Sequence, residues 1–175
     1  ILGTVQFGLK YGINNTTGKP SNDEVLSLLK VAYNSGIRVL DTAEAYGNAH
    51  QLIGNYHNIR DNSKFKIITK FPHDIKHNLI KSKVIEYLNL MKVNTLDVMM
   101  FHSFDSFQSN YNSLNTLNEL KSDGLITNIG VSVYTNAQLE SLLNEDLITV
   151  VQLPFNLLDN FSVRGDLINK LKEKG

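Results

Sequence analysis

The chain has 175 residues, 42% hydrophobic and 19% charged, a composition typical of one globular domain with a single core. Its 17 basic and 17 acidic residues give no net charge, which argues against nucleic acid or an anionic membrane as a partner. There is no cysteine, so disulfides and thiolate chemistry are excluded, and no apolar run reaches the roughly 18 residues of a membrane span. We expect a cytoplasmic protein that acts on a small molecule.

Six short runs rich in β-branched residues alternate with six stretches of helical periodicity. The predicted strands, in chain order, are Leu2–Phe7, Arg38–Thr42, Lys66–Thr69, Leu96–Phe101, Asn128–Val133 and Thr149–Leu153. The predicted helices are Ser21–Asn34, Ala49–Tyr56, Asn78–Met91, Ser113–Ser122, Asn136–Leu143 and Arg164–Lys174. This alternation predicts βαβ units and therefore an α/β fold with a parallel sheet.

The first helix has the clearest boundaries of the six. Ser21 stands at its start and Glu24 follows three residues later, which is the pattern of a capping box. Gly36 follows the last helical residue and predicts the end of the helix.

The glycine pattern separates two folds that share this alternation. No G-x-G-x-x-G follows the first strand, where Gly3, Gly8 and Gly12 are five and four residues apart. The main sequence evidence for a doubly wound dinucleotide-binding fold is therefore missing. We predict a (β/α)8 TIM barrel, which closes with eight strands over about 200–250 residues. Since the chain holds about six βα units and begins without Met, we expect residues 1–175 to be one barrel domain, incomplete at its C-terminus and a few residues short at its N-terminus.

Four polar residues follow consecutive predicted strands. Asp41 ends the second strand and Tyr46 lies in its loop, Lys70 follows the third strand, and His102 follows the fourth. Each has a plain structural explanation, such as a capped turn, a packed ring or a hydrogen-bonded core histidine. Their joint placement favours one site, because a parallel barrel keeps its active site at the C-terminal ends of its strands.

The segment 36–47, Gly-Ile-Arg-Val-Leu-Asp-Thr-Ala-Glu-Ala-Tyr-Gly, resembles the signature of the aldo-keto reductase superfamily. Further segments resemble that family's first, third, fourth, fifth and sixth strands, at residues 3–8, 68–70, 100–102, 124–132 and 151–156. The resemblance implies an NADPH-dependent oxidoreductase that reduces an aldehyde, ketone or sugar carbonyl to an alcohol. It also implies a catalytic tetrad of Asp41, Tyr46, Lys70 and His102.

The chemistry of these four side chains agrees with that implication. Hydride transfer leaves a developing alkoxide that must be protonated, and a phenol with a pKa near its usual value of about 10 is a weak acid for this step. We expect the ammonium of Lys70 to lower the pKa of Tyr46, and Asp41 to hold Lys70 charged and in place. His102 would donate a hydrogen bond to the substrate oxygen.

The resemblance also implies residues that bind the cofactor. The residues at matching positions are Gly3, Thr4, Asp41, Ser132 and Gln152. Of these, Ser132 and Gln152 would hold the nicotinamide carboxamide. The sequence departs from the family pattern at Val133, where an Asn is common, and the family's seventh and eighth strands have no counterpart. We therefore expect the 175 residues alone to be inactive.

Three of the four histidines outside the proposed tetrad are candidates for other roles. His50 occupies a position where the family frequently has Glu. His73 and His77 are four residues apart, a spacing that would suit two metal ligands on one helix face, but no third ligand is evident and no metal site is predicted.

Two other functions compete with carbonyl reduction. A regulatory protein could keep the barrel and the nicotinamide cofactor while turning over weakly or not at all, although an intact tetrad argues against it. A lyase or isomerase could use Lys70 as a Schiff-base nucleophile, which would favour a lysine without a carboxylate partner. The nearby Asp41 makes this second alternative less favourable.

Overall fold

A computed structural model describes residues 1–59 and 63–174. In this part of the chain, six strands form one sheet: β1 (Leu2–Gly3), β2 (Val39–Asp41), β3 (Lys66–Lys70), β4 (Leu96–Phe101), β5 (Ile126–Ser132) and β6 (Val150–Gln152). Each strand pairs in parallel with the next one along the chain. This is the strand order of a TIM barrel, so the predicted α/β barrel architecture is confirmed, with six parallel strands in the described residues.

Helices connect the strands and cover the outer face of the sheet. The α-helices in the described residues are α1 (Val5–Gly8), α2 (Asn22–Asn34), α3 (Ala49–Ile59), α4 (Ile80–Met91), α5 (Phe104–Ser109), α6 (Leu114–Ser122), α7 (Asn136–Ser141) and α8 (Phe161–Lys174). Short 3-10 turns lie at His77–Leu79, Tyr111–Ser113 and Leu142–Asn144. None of the helices in residues 1–59 and 63–174 has the length and apolarity needed to cross a membrane.

The first strand is shorter than the sequence predicts. The prediction of a strand over Leu2–Phe7 is wrong beyond Gly3, because Thr4 leaves the strand with a ψ of 7° and Val5 begins a single helical turn. Both the backbone N–H and the hydroxyl of Thr4 donate to the carbonyl oxygen of Asp41, at 3.0 Å each. This double hydrogen bond ends the β1 ladder and turns the chain.

Two helical segments also differ from the predictions. The sequence predicts no helix at α5, which Ser103 caps by accepting a hydrogen bond of 3.1 Å from the Ser106 N–H. On this helix the ring centre of Phe107 lies 5.7 Å from that of Phe101, so the buried Phe107 anchors the turn after β4 to the core. The last helix begins at Phe161, three residues before the predicted Arg164.

The first long helix begins and ends as predicted. The hydroxyl of Ser21 accepts from the Glu24 N–H at 3.3 Å, and the Glu24 carboxylate accepts from the Ser21 N–H at 2.7 Å, which completes the capping box. Gly36 follows the helix with a φ of +89°, a conformation that glycine adopts without strain.

The hydrophobic core lies between the sheet and the helices that pack on it. Its fully buried members include Leu29 of α2, Ile53 of α3, Tyr87 of α4 and Leu117 of α6. This layer fixes the helices against the strands, so the strand ends that carry the predicted site residues rest on a packed support.

Candidate active site

Three of the predicted site residues lie at one edge of the sheet, at the C-terminal ends of neighbouring strands. Asp41 is the last residue of β2, Lys70 is the last residue of β3, and His102 directly follows β4. In the registers of these strands Asp41 pairs with Ile68, and Lys70 pairs with Met100. The parallel register therefore brings an acid, an amine and an imidazole to the same mouth of the barrel.

Asp41 and Lys70 form the ion pair that their positions predict. Nζ of Lys70 donates to Oδ1 of Asp41 and to the carbonyl oxygen of Thr42, the latter at 3.2 Å. The Lys70 side chain is only 2% exposed, and that of Asp41 is 19% exposed. An ammonium so deeply buried is stabilised by these acceptors, because burial without a partner would favour its neutral form.

The loop that carries Tyr46 is held by backbone contacts on both sides. The Glu44 N–H donates to the Lys70 carbonyl at 3.1 Å, and the Tyr46 N–H donates to the Ala43 carbonyl at 3.0 Å. A Cβ atom at Gly8 would lie 1.7 Å from the Tyr46 carbonyl oxygen, so only glycine allows the chain after β1 to approach this closely. Gly47, with a φ of +58°, completes the contact from the other side.

The electrostatic environment of Tyr46 differs from the one expected. Burial raises the pKa of Tyr46 to about 12, and the negative charge of Asp41 acts in the same direction, followed by smaller effects of Tyr11 and Tyr134. The expected lowering by Lys70 is absent from this arrangement because Nζ of Lys70 lies 5.6 Å from the centre of the Tyr46 ring and donates to Asp41 and Thr42. The negative charge of Asp41 offsets the positive charge of Lys70, so Lys70 has little net effect on the pKa of Tyr46.

His102 lies beside Tyr46 and is neutral at pH 7. Its ring centre is 6.0 Å from that of Tyr46, with the two planes at 78°. Burial, together with the smaller effects of the neighbouring His73 and Lys70, lowers the pKa of His102 to about 4, although Asp41 and a hydrogen bond with the Phe71 backbone act in the opposite direction. A neutral imidazole can donate one hydrogen bond without bringing a charge into the site.

The residues predicted to bind the cofactor surround Asp41. Gly3 pairs with Asp41 in the β1–β2 register, and the hydroxyl of Thr4 is fully buried and donates to the Asp41 carbonyl. Ser132 and Gln152 end β5 and β6 and pair with each other. Nε2 of Gln152 donates to Oδ2 of Asp41 at 3.1 Å, which links β6 to β2 across the mouth.

Val133, where the sequence departs from the family pattern, has a packing role in the structure. Its side chain is completely buried in the hydrophobic core, and its N–H donates to the Gln152 carbonyl at 2.9 Å. Position 133 therefore contributes packing and a backbone hydrogen bond rather than a side-chain amide at the mouth.

A polar cluster behind the Tyr46 loop was not found by sequence reasoning. The Glu44 carboxylate accepts from Nζ of Lys83 at 2.8 Å and from the hydroxyl of Tyr87. His50 shares a hydrogen bond of 2.8 Å with Oγ1 of Thr69, and its ring lies 5.0 Å from that of Tyr87. Glu44 stands inside the recognisable segment 36–47, but its partners are about 40 residues away in sequence, so no local signal pointed to them.

His73 and His77 do not converge on one point. Nδ1 of His77 shares a hydrogen bond of 2.6 Å with Oγ of Ser113, whereas the ring of His73 stacks on His102 with centres 4.4 Å apart. Within residues 1–59 and 63–174, no group of three or more His, Asp or Glu side chains is arranged to hold a metal ion.

Fold and site together define a (β/α)-barrel protein with an acid, an amine, a phenol and an imidazole at the C-terminal mouth of its strands. The model of the aldo/keto reductase family matches residues 1–175, so the chain belongs to this family. It is 26% identical over 132 residues to Methylglyoxal reductase DkgA of Escherichia coli O157:H7, an alignment that covers 75% of this chain and 48% of the relative. The chain thus spans about half the length of the curated relatives it matches.

Solved structures with the same fold superpose on nearly the whole chain. PA4992 of Pseudomonas aeruginosa, assigned to the aldo-keto reductases, superposes with a TM-score of 0.80 at 24% identity, covering 99% of this chain and 68% of that one. The aldo-keto reductase AKR11C1 from Bacillus halodurans in its holo form gives a TM-score of 0.77 at 18% identity, covering 99% and 58%. At these identities, the two likenesses support the fold alone.

Proposed function

We propose that the protein is an NADPH-dependent oxidoreductase that reduces an aldehyde, ketone or sugar carbonyl to an alcohol. The observation that carries the proposal is the meeting of Asp41, Lys70, Tyr46 and His102 at one barrel mouth, with the first two in a buried ion pair. Family membership and the relation to a methylglyoxal reductase support the same reaction class.

The side chains divide the reaction between them. When bound, NADPH supplies the hydride that adds to the carbonyl carbon. The carbonyl oxygen then becomes an alkoxide, which takes the proton of the Tyr46 hydroxyl as the new O–H bond forms. Neutral His102 donates a hydrogen bond to the same oxygen and orients the carbonyl. The tyrosinate regains its proton from solvent.

The raised pKa of Tyr46 is compatible with this role. A pKa of about 12 keeps the phenol protonated throughout the neutral pH range, so Tyr46 carries its proton when the substrate binds. Even with this shift, a phenol remains a stronger acid than an aliphatic alcohol, so proton transfer to the alkoxide is downhill. Lys70 contributes by offsetting the charge of Asp41, which would otherwise oppose formation of the tyrosinate still more.

The donor set at the ends of β5 and β6 fits a carboxamide. A carboxamide needs a donor for its oxygen and an acceptor for its nitrogen, and the Gln152 amide and the Ser132 hydroxyl each offer both. The two residues pair in the β5–β6 register, so they are neighbours at the mouth. In this proposal Gln152 and Ser132 would hold the nicotinamide carboxamide, and Gly3, Thr4 and Asp41 would contribute to the same cofactor site.

The test is a turnover assay on the full-length protein. Loss of NADPH absorbance is followed with a panel of aldehydes, ketones and aldose sugars that includes methylglyoxal, with NADH in a parallel series. Turnover that depends on NADPH supports the proposal. Saturable NADPH binding without turnover of any carbonyl would favour the regulatory alternative instead. Borohydride trapping of a substrate on Lys70 would indicate Schiff-base chemistry, against which the Asp41–Lys70 ion pair argues.

A further inference from the structure

Within the described part of the chain, the ring of His102 lacks at Nδ1 the hydrogen bond that often orients a functional histidine. The second ring nitrogen of such a residue usually makes a hydrogen bond that fixes both the tautomer and the plane of the ring. Nδ1 of His102 is buried and has no hydrogen-bond partner within residues 1–59 and 63–174. The hydrogen-bonding group that acts on the ring is the backbone of Phe71. A hydrogen-bond donor to substrate needs a defined direction, so the contacts on the faces and edges of the ring matter for its plane.

Two aromatic contacts define that plane. The ring of His73 stacks on His102 with centres 4.4 Å apart and an interplanar angle of 15°. The Tyr46 ring meets His102 at 78° with centres 6.0 Å apart. The stack constrains rotation about the last side-chain bond of His102 more strongly than the edge contact does, because its face-to-face contact is lost when the ring turns.

The backbone next to His73 is itself held in place. The preceding residue is Pro72, whose ring restricts its φ, and the Ile75 N–H donates to the Pro72 carbonyl at 3.3 Å. The Ile75 side chain is buried, which anchors this turn between β3 and α4 to the core. His73 therefore approaches His102 from a turn with little freedom.

We propose that His73 is a positioning residue: its imidazole stacks on His102 and holds that ring in the plane from which it donates to the substrate oxygen. The inference rests on the function proposed above for His102. It assigns no contact with substrate or cofactor to His73, which acts through the neighbouring ring alone.

The charges around the stack agree with this role. The groups that face His102 are His73 from the turn after β3, Lys70 from β3, Asp41 from β2, Tyr46 from the loop after β2, and the backbone of Phe71 directly after β3. The two imidazoles cannot both carry a charge at this distance without strong repulsion, and Lys70 adds a further positive charge nearby. A stacked His73 therefore favours the neutral His102 that carbonyl orientation requires.

Three variants test the inference, with His77→Ala as the matched control. His77 lies in the same connection between β3 and α4, but it contacts Ser113 rather than the site. His73→Ala removes the stacking ring, whereas His73→Phe keeps an aromatic face and removes the titratable group. Each variant of the full-length protein is assayed for kcat and KM at pH 8, and the nitrogen chemical shifts of the His102 ring are recorded by NMR without substrate.

We expect His73→Ala to lower kcat about tenfold with KM within about twofold, because misorientation of a catalytic group affects the transition state more than binding. We expect His73→Phe and His77→Ala to remain within about twofold of the parent. At pH 8 the NMR signals of His102 should change in His73→Ala and stay near the parent values in His73→Phe. The midpoint of the His102 titration should rise in both variants because the charge of His73 is lost, and it should rise more in His73→Ala because the ring also becomes more exposed.

Parental kcat in His73→Ala, or a His73→Phe variant as slow as His73→Ala, would overturn the inference. Unchanged His102 signals in His73→Ala would overturn it as well. The NMR measurement requires no turnover. A protein that reduces no carbonyl would therefore contradict the proposed function, while the NMR signals of His102 would still test the contact between the two rings.

Discussion

The two sides of the barrel mouth differ in how firmly the protein holds their polar residues. On the β2–β4 side, Thr42, Thr69 and Lys70 are almost completely buried and lie in well-packed strands. On the β6 side, all three strand residues, Val150–Gln152, are only partly buried, and the following Leu157 and Leu158 are exposed. The proposed proton-transfer residues lie on the packed side, and the proposed carboxamide contacts extend toward the open one.

Hydrogen bonding explains part of this difference. Strands β3 and β4 have partners on both sides, whereas β6 pairs only with β5 among the described residues. The start of α8 is tied down by polar contacts instead, since Arg164 donates to Asp159 and to the Tyr134 carbonyl, the latter at 2.7 Å. Substitutions on the β2–β4 side should therefore affect both chemistry and stability, while those on the β6 side should affect mainly cofactor binding.

The largest expected effect is that of removing the proton donor. Tyr46→Phe should lower kcat at least about 100-fold, the lower end of what general acid catalysis contributes, and leave NADPH affinity within about threefold. Steady-state kinetics and a fluorescence titration with NADPH measure the two quantities. Tyr134→Phe is the control, because this exposed phenol is near enough to influence Tyr46 but has no assigned role. A Tyr46→Phe variant that keeps more than about a tenth of the parental kcat would exclude Tyr46 as the proton donor.

The second expected effect concerns the buried ion pair. Lys70→Met should lower the free energy of unfolding by about 3 kcal/mol, because it leaves the carboxylate of Asp41 with Gln152 as its remaining side-chain donor. It should also raise the pKa of Tyr46, since the charge of Asp41 is then unopposed, and abolish most of the activity. Lys66→Met, on the same strand, removes a 69% exposed lysine paired with Asp97 and should cost less than about 1 kcal/mol. Urea unfolding measures the stability of both variants. Equal decreases in the free energy of unfolding would contradict the expectation that the buried Asp41–Lys70 pair stabilises the protein more than an exposed ion pair.

The third expected effect is a loss of stability in acid caused by His50. Burial lowers the pKa of His50 to about 4, below the value of about 6.5 in an unfolded chain. As the pH falls below about 6.5, the unfolded chain takes up a proton that the folded protein does not, so the free energy of unfolding falls until the pH passes about 4. Between pH 7.5 and 4.5 this group should account for a loss of about 2 to 3 kcal/mol.

Urea unfolding at these two pH values, with His50→Gln as the test variant, measures that contribution. The glutamine amide can still form a hydrogen bond with Thr69 but does not titrate, so the difference between the two pH values should shrink by about 2 to 3 kcal/mol. His77→Gln, at an exposed position, should leave the difference as it is in the parent. An unchanged pH dependence in His50→Gln would show that this imidazole is protonated in the folded protein.

The smallest expected effect lies on the β6 side. Gln152→Ala removes the hydrogen bond to Asp41 and should lower the free energy of unfolding by about 1 kcal/mol, while weakening NADPH binding several-fold. Gln108→Ala, an exposed position on α5, should change neither quantity. If Gln152→Ala were to destabilise the protein as much as Lys70→Met, the two sides of the mouth would not differ in the way that burial indicates.

Sequence patterns were sufficient for the overall architecture and for the positions of Asp41, Lys70 and His102. Alternating strand and helix periodicity predicts a parallel sheet, and in such a sheet every strand ends at the same edge, so a polar residue after each apolar run is placed without knowledge of any contact. The capping box at Ser21 and Glu24 is equally local, because its hydrogen bonds join residues three apart. The same locality explains the error at β1, where an apolar run suggested a strand and the hydrogen bonds of Thr4 to Asp41 ended it.

Only the tertiary structure decided which side chains touch across the mouth. The stack of His73 on His102 joins two loops, the Gln152 amide reaches Asp41 over 111 residues of sequence, and Glu44 finds Lys83 on a helix that comes after β3. Tyr46 illustrates the consequence: its position was predictable, but the direction of its pKa shift depends on burial and on where Lys70 donates its protons. Distances between residues far apart in sequence depend on how the sheet curls and how its loops pack, and a local pattern carries no information about either.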